Sequence, residues 1–174
     1  MPYTNSDTES KLRRAKRPRS ILAGPYGHPF HALLVTIPIG AWTASFIFDI
    51  VAGFQDDPEP FHAGASLLIL VGLIGAVVAA VVGILDLSTL SSGTRVRKIG
   101  LTHMLLNTGA TLLFLVSLIV RSTSESGDPG ALGLVLSIAA LVLLGGSGFL
   151  GGEMTYRYGV RVADEETQQA GYAK

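Results

Sequence analysis

The sequence predicts an all-α integral membrane protein, a four-helix bundle of up-down topology with both termini cytoplasmic. Three observations carry this. Four apolar stretches each reach the roughly 20 residues that a helix needs to cross a hydrocarbon core. Charged residues make up only 15% of the 174, against about 25% in an ordinary soluble domain, and they gather in the first 20 residues, the connectors and the tail. Lys and Arg favour alternate connectors. Inside lipid the backbone has no water to bond, so each stretch must be helical, and the period-two alternation of a membrane barrel is absent.

The elements follow in order. Residues 1–20 are polar and basic, with Lys11, Arg13, Arg14, Lys16, Arg17 and Arg19 and no helical periodicity. They are expected to form a disordered cytoplasmic arm. Its charges fix topology, and contact with anionic lipid is a second role. The transmembrane domain is expected over 21–160, with spans at about 30–53, 62–87, 99–120 and 131–152. The first connector, Gln55 to Pro60, is acidic and lacks Lys and Arg; the second carries Arg95, Arg97 and Lys98. The third has Arg121 as its basic residue, and Arg157 and Arg161 follow the fourth span. The positive-inside rule therefore puts the arm, the middle connector and the tail inside. Residues 161–174 read as a flexible cytoplasmic tail.

Composition excludes several functions. There is no cysteine, so no disulfide, thiolate-held zinc or iron–sulfur cluster rests on this chain's own thiolates. A net charge of +0 gives no pull toward nucleic acid. No Gly-x-Ser-x-Gly elbow and no phosphate loop is present. No catalytic residue emerges, and the balance leans away from an enzyme.

Polar residues within the spans are the functional candidates, because lipid makes them costly. In span one His31, Val35, Pro38, Trp42, Ser45 and Asp49 recur at steps of three and four and share a face. Pro38 is expected to kink this helix. In span three His103, Asn107, Ala110, Phe114, Ser117 and Arg121 repeat the layout. Both spans run outward, so His31 pairs in depth with His103 and Asp49 with Arg121. Spans two and four run inward and bring Asp86 and Glu153 to the histidine level. Span two carries a small-residue ridge, Gly72, Gly75, Ala79 and Gly83, and span four carries Gly145, Gly148 and Gly152 on one side. Such ridges let membrane helices approach closely. His28 and His62 lie at interfaces, where an imidazole is often merely solvated. Trp42 lies mid-span, where packing is the simpler role and walling a cofactor the alternative.

Several stretches together resemble a family of bacterial membrane proteins, domain of unknown function 2231. They are Gly27-His28-Pro29-Phe30-His31, Leu34-Val35, Pro38 to Trp42 with Ser45 and Asp49, Gly83 with Asp86, Gly100 with His103 and Asn107, and Leu150 to Val160. The resemblance implies a four-helix membrane fold in the bacterial cytoplasmic membrane and assigns no activity. Some relatives are associated with Rieske-type iron–sulfur domains, so it implies a redox role by association only.

Three functions stay open on these residues. In the first, His31 and His103, with His28 in place of His31, hold a haem b iron for electron transfer, and Asp86, Asn107 and Glu153 support them. In the second, His28, His31, His103 and Asp86 ligate a divalent metal. In the third, the polar cluster fixes helix packing in a structural or accessory subunit, with Asp49–Arg121 as a structural ion pair. Beyond the lipid bilayer, a redox or membrane-protein partner and an oligomer are compatible with each.

Overall fold

The computed structural model describes residues 6–124 and 126–173. The described residues hold helices and connectors and no strand. The helices are α1 (Ser6–Lys16), α2 (Phe30–Leu34), α3 (Thr36–Ala52), α4 (Glu59–Leu87), α5 (Arg95–Ser122), α6 (Gly130–Gly152) and α7 (Glu165–Ala170). Four spans are long and apolar enough to cross a membrane: Phe30–Ala52, Glu59–Leu87, Arg95–Ser122 and Gly130–Arg157. The first ends just short of its expected limit, and the other three overrun theirs by a few residues, mostly into polar connector sequence. Helical hydrogen bonding continues there after hydropathy has ended.

Proline explains the break in the first span. Pro38 has no N–H to give the Leu34 carbonyl, and its ring crowds that carbonyl. The helix accordingly divides at Val35 into α2 and α3. At the other end of the bundle's path, α6 widens into a π-helical turn, Glu153–Arg157, where the Tyr158 N–H reaches back to the Glu153 carbonyl at 3.2 Å.

Two hairpins build the bundle. The α3 helix packs mainly on α4, and α5 mainly on α6, while lesser α4–α5 and α3–α6 contacts close the ring. This sets α3 and α5 on a diagonal, facing each other through side chains. At the centre Trp42 stacks on Phe114, with ring centres 4.4 Å apart and planes at 17°. An aromatic pair of this kind adds about 0.5–1.5 kcal/mol beyond its buried area. Ile69, Ala110 and Ala140 complete the buried core.

The small-residue ridge of α4 is what admits the bulky partners. A Cβ on Gly72 would collide with the Trp42 indole, and one on Gly83 would come within 2.9 Å of the His31 ring. On α6 the reading of the sequence does not hold. Gly145 and Gly148 meet no neighbour within 4 Å, and Gly152 meets only Tyr156 of its own segment. The buried face of α6 is instead Gly133, Ser137, Ala140 and Ser147. Glycines marked the wrong face because serine, which is also small, serves in their place.

The outward faces are apolar throughout. Leu67, Ile74, Val77, Val81, Leu105, Leu112, Ile119, Val135, Val142 and Phe149 are all exposed. A continuous apolar girdle on this scale is intolerable in water and is the surface a bilayer requires.

The arm and tail differ from the disorder and flexibility expected of them. Residues 6–16 form α1, held by the i,i+4 ion pairs Asp7–Lys11 and Glu9–Arg13, each worth about 0.2–0.5 kcal/mol. Pro18 then bars further helix. Ala15 packs into a small cluster with Leu90 and Val160, and Arg14 Nε donates to the Thr89 carbonyl at 2.7 Å. In the tail, α7 is capped by Asp164, which accepts from the Thr167 N–H at 2.9 Å. Residues 1–5 of the arm and 174 of the tail lie outside the described residues.

Candidate functional site

Three levels of side chains join α2–α3 to α5 across the bundle. At the end bearing the termini, His31 faces His103, with ring centres 6.1 Å apart and planes at 79°. Trp42 and Phe114 form the middle level. At the far end Arg121 donates from Nη1 and Nη2 to the two carboxylate oxygens of Asp49 at 2.7 and 2.5 Å. Both side chains are almost wholly buried, and this bidentate arrangement is the strong form of an ion pair.

The imidazoles are oriented by matching devices. His31 Nδ1 lies 2.9 Å from the Ala79 carbonyl of α4, and His103 Nδ1 lies 2.8 Å from the Ser147 carbonyl of α6. A carbonyl only accepts, so Nδ1 carries the proton in each ring. In the neutral ring that leaves Nε2 with its lone pair. Each carbonyl is free to accept a second bond because a backbone oxygen has two lone pairs.

The two Nε2 atoms are not equivalent. Asn107 Nδ2 lies 3.0 Å from His103 Nε2 and also donates to Ser147 Oγ at 2.6 Å and the His103 carbonyl at 3.0 Å. His31 Nε2 has no hydrogen-bond partner among the described residues. A donated proton on one side and a spare lone pair on the other is the state in which histidine ligates metals.

The other sequence candidates go elsewhere. Asp86 forms a buried ion pair with Arg161 Nε at 2.9 Å, without hydrogen-bond alignment. Glu153 pairs with Arg157 at 3.5 Å. His28 is exposed, its Nδ1 3.3 Å from the Tyr26 carbonyl. The set His28, His31, His103 and Asp86 is therefore not assembled, and among the described residues no three His, Asp or Glu side chains could hold a metal together. Asn107 alone of the expected supporting residues touches an imidazole. His62 is buried, not solvated at the interface, and its Nδ1 lacks a partner.

Two residues escaped the sequence reading. Ser147 orients His103 through both its carbonyl and its hydroxyl. The signal was the small-residue face of α6, which an analysis confined to glycine passes over. Arg161, counted only as a tail cation, is 5% exposed and sits at φ 61°, a left-handed conformation rare outside glycine. Its Nη2 donates to the Ala23 and Gly24 carbonyls at 2.8 and 3.2 Å, and its N–H donates to Ala15. It binds the arm, the turn before span one and the end of α4 into one cap.

Four apolar spans with a lipid-facing girdle and a polar axis define a multi-pass membrane protein in a bilayer. Within that class, residues 27–164 match the family model described as predicted membrane protein DUF2231, and the chain belongs to that family. No curated protein and no solved structure matches the chain significantly.

Proposed function

We propose that the chain is a non-catalytic electron-transfer accessory protein of the bacterial cytoplasmic membrane, with both termini cytoplasmic. In this reading His31 and His103 would hold one cofactor iron between them. The observation that carries it is the imidazole pair itself: two rings at 6.1 Å, each with Nδ1 committed to a carbonyl. Haem b suits the site better than a bare divalent ion. Haem would need only His31 and His103 from the protein, whereas an ion such as zinc would need about four ligands. When bound, haem supplies one-electron transfer to a redox partner. The residues of the chain then orient the imidazoles through Ala79 and Ser147 and keep lipid-facing apolar walls around them.

One observation favours a second reading. Asn107 already occupies the His103 lone pair, as expected of a polar network that only fixes helix register in a structural subunit. A visible spectrum separates the two. The protein is purified in mild detergent from cells supplied with iron and haem precursor, and is recorded oxidised and reduced. The cofactor reading expects a Soret band that sharpens on reduction and is lost in His31→Ala and in His103→Ala. A colourless, metal-free protein leaves the structural reading.

A further inference from the structure

The turn that joins the arm to the first span is fixed with two aliphatic side chains facing outward. Ile21–Ala23 is a single 3-10 turn, and its side chains divide sharply. Ala23 is wholly buried, while Ile21 and Leu22 are 82% and 71% exposed. The backbone is not free to tuck them in. The Ala23 and Gly24 N–H groups donate to the Ser20 and Ile21 carbonyls at 3.0 Å each. The Arg161 guanidinium holds the Ala23 and Gly24 carbonyls from the buried side. Gly24 sits at φ 88°, and a Cβ there would come within 2.2 Å of the His28 carbonyl, so the turn requires glycine.

The turn packs on α2 and α4. At the same end of those helices Leu33 and Ile84 are exposed members of the apolar girdle. Ile21 and Leu22 therefore carry the girdle past the end of the spans. Left in water, two large aliphatic side chains forgo the burial that their size would bring. The charge beside them has one sign. Arg17 and Arg19 are exposed. Arg19 has no hydrogen bond or ion pair among the described residues. The Arg17 guanidinium lies 5.7 Å over the centre of the Tyr26 ring, a contact that leaves its charge unmatched. The nearby acids are engaged elsewhere: Asp7 pairs with Lys11 and Glu9 with Arg13. Asp164, whose backbone N–H donates to the Tyr26 hydroxyl, has its charge interaction with Lys16.

We infer that Ile21 and Leu22, with Arg17 and Arg19, form an anchor for anionic phospholipid at the bilayer surface. Each part of the lipid finds its match. The upper acyl chains meet the two aliphatic side chains, and the charged headgroup meets two guanidiniums without carboxylate partners. Apolar insertion beside a basic flank is the combination that binds a membrane surface stably, and the arginines select anionic over zwitterionic headgroups. The surface continues one that a bilayer already covers, which favours lipid over a soluble protein as its occupant. The anchor is independent of the imidazole pair and of any cofactor held there.

Quenching by labelled lipids tests the anchor. The chain has no cysteine, so Leu22→Cys in the full chain takes a single bimane fluorophore; Ile21→Cys serves if that label prevents folding. The labelled protein is placed in phosphatidylcholine nanodiscs with rising fractions of doxyl-labelled phosphatidylglycerol or doxyl-labelled phosphatidylcholine, the doxyl group high in the acyl chain. Quenching by both lipids is expected, because the turn lies in the bilayer. Phosphatidylglycerol should reach half-maximal quenching at an about 5-fold lower fraction for each arginine that contributes. That preference should shrink at about 1 M salt, where the Debye length is about 3 Å. It should be lost when Arg17→Gln and Arg19→Gln are combined. No quenching by either lipid would put the turn in water or under a protein partner and overturn the inference. Equal quenching by the two lipids with both arginines present, or a preference that survives their loss, overturns it as well.

Discussion

Asp49 and Arg121 lie 72 residues apart in the chain and share two parallel hydrogen bonds across the bundle. The same interval separates His31 from His103 and Trp42 from Phe114. A shorter constant interval relates Ala79 to Ser147, and Gly83 to Gly151, whose added Cβ would meet the His103 ring at 3.4 Å. The two hairpins are thus copies in layout, and the polar axis is the seam between them. One copy has a carboxylate where the other has a guanidinium. Removing one member strands the other in a buried site, at about 3–5 kcal/mol. Asp49→Asn is therefore expected to lower stability by that amount, and Arg121→Gln to add little in the Asp49→Asn background. Unfolding of the four proteins of the cycle in detergent checks this, and simple additivity would count against the direct contact.

The middle level depends on Gly72. A larger residue there collides with the Trp42 indole and displaces it from the Ile69 carbonyl, to which Nε1 donates at 3.2 Å. Gly72→Leu is expected to cost about 1–3 kcal/mol by overpacking and to shift the emission of the single tryptophan. Gly145→Leu, on the face without neighbours, is expected to leave both unchanged.

Arg161 makes the cap at the terminal end a single unit. Arg161→Ala removes the partner of a buried Asp86 and the bonds to Ala23 and Gly24. The expected loss is again about 3–5 kcal/mol, and α1 should lose its hold on the bundle. Amide exchange over residues 6–16 reports that directly: faster exchange is expected, and unchanged protection would show that α1 is held by Ala15 and Arg14 alone.

The α7 cap gives a pH dependence with a definite sign. The Thr167 backbone N–H, then hydrogen bonds from the Thr167 and Tyr26 side chains, hold the Asp164 carboxyl down to about 2. Its ordinary value is about 3.9. A depressed carboxyl contributes fully above the ordinary value and loses its contribution as pH falls through the folded one. Protection of the Thr167 amide, relative to its intrinsic exchange rate, should decline between about pH 4 and pH 2. Asp164→Asn keeps a capping oxygen that does not titrate and should be flat over that window.

What the sequence revealed divides by the kind of signal. The spans, and the facing of His31 toward His103 and Asp49 toward Arg121, follow from helical period and depth, which are local quantities. Asp86 sits at the expected level but goes to Arg161, because that partner arrives from a tail whose path no periodicity records. The helix over 6–16 was written in its i,i+4 charge pairs, which a search for apolar period passes over. Ser147 was hidden because its carbonyl does the orienting, and any small residue supplies a carbonyl.

Asn107 separates the two readings of the imidazole pair. Its amide nitrogen, with two hydrogens to give, lies within 3.0 Å of the His103 Nε2 lone pair, the His103 carbonyl and Ser147 Oγ, which compete for them. If the network exists to fix helix register, Asn107→Leu strands those acceptors and costs about 1–3 kcal/mol with nothing to offset it. If the pair holds an iron, the same change frees Nε2 for ligation, and the cofactor restores in the loaded protein the stability lost in the empty one. The comparison is between unfolding midpoints of Asn107→Leu grown with and without haem precursor. A gap that exceeds the wild-type gap favours ligation, because the competing donor is gone. Equal, lowered midpoints under both conditions assign Asn107, and with it the histidine pair, to packing.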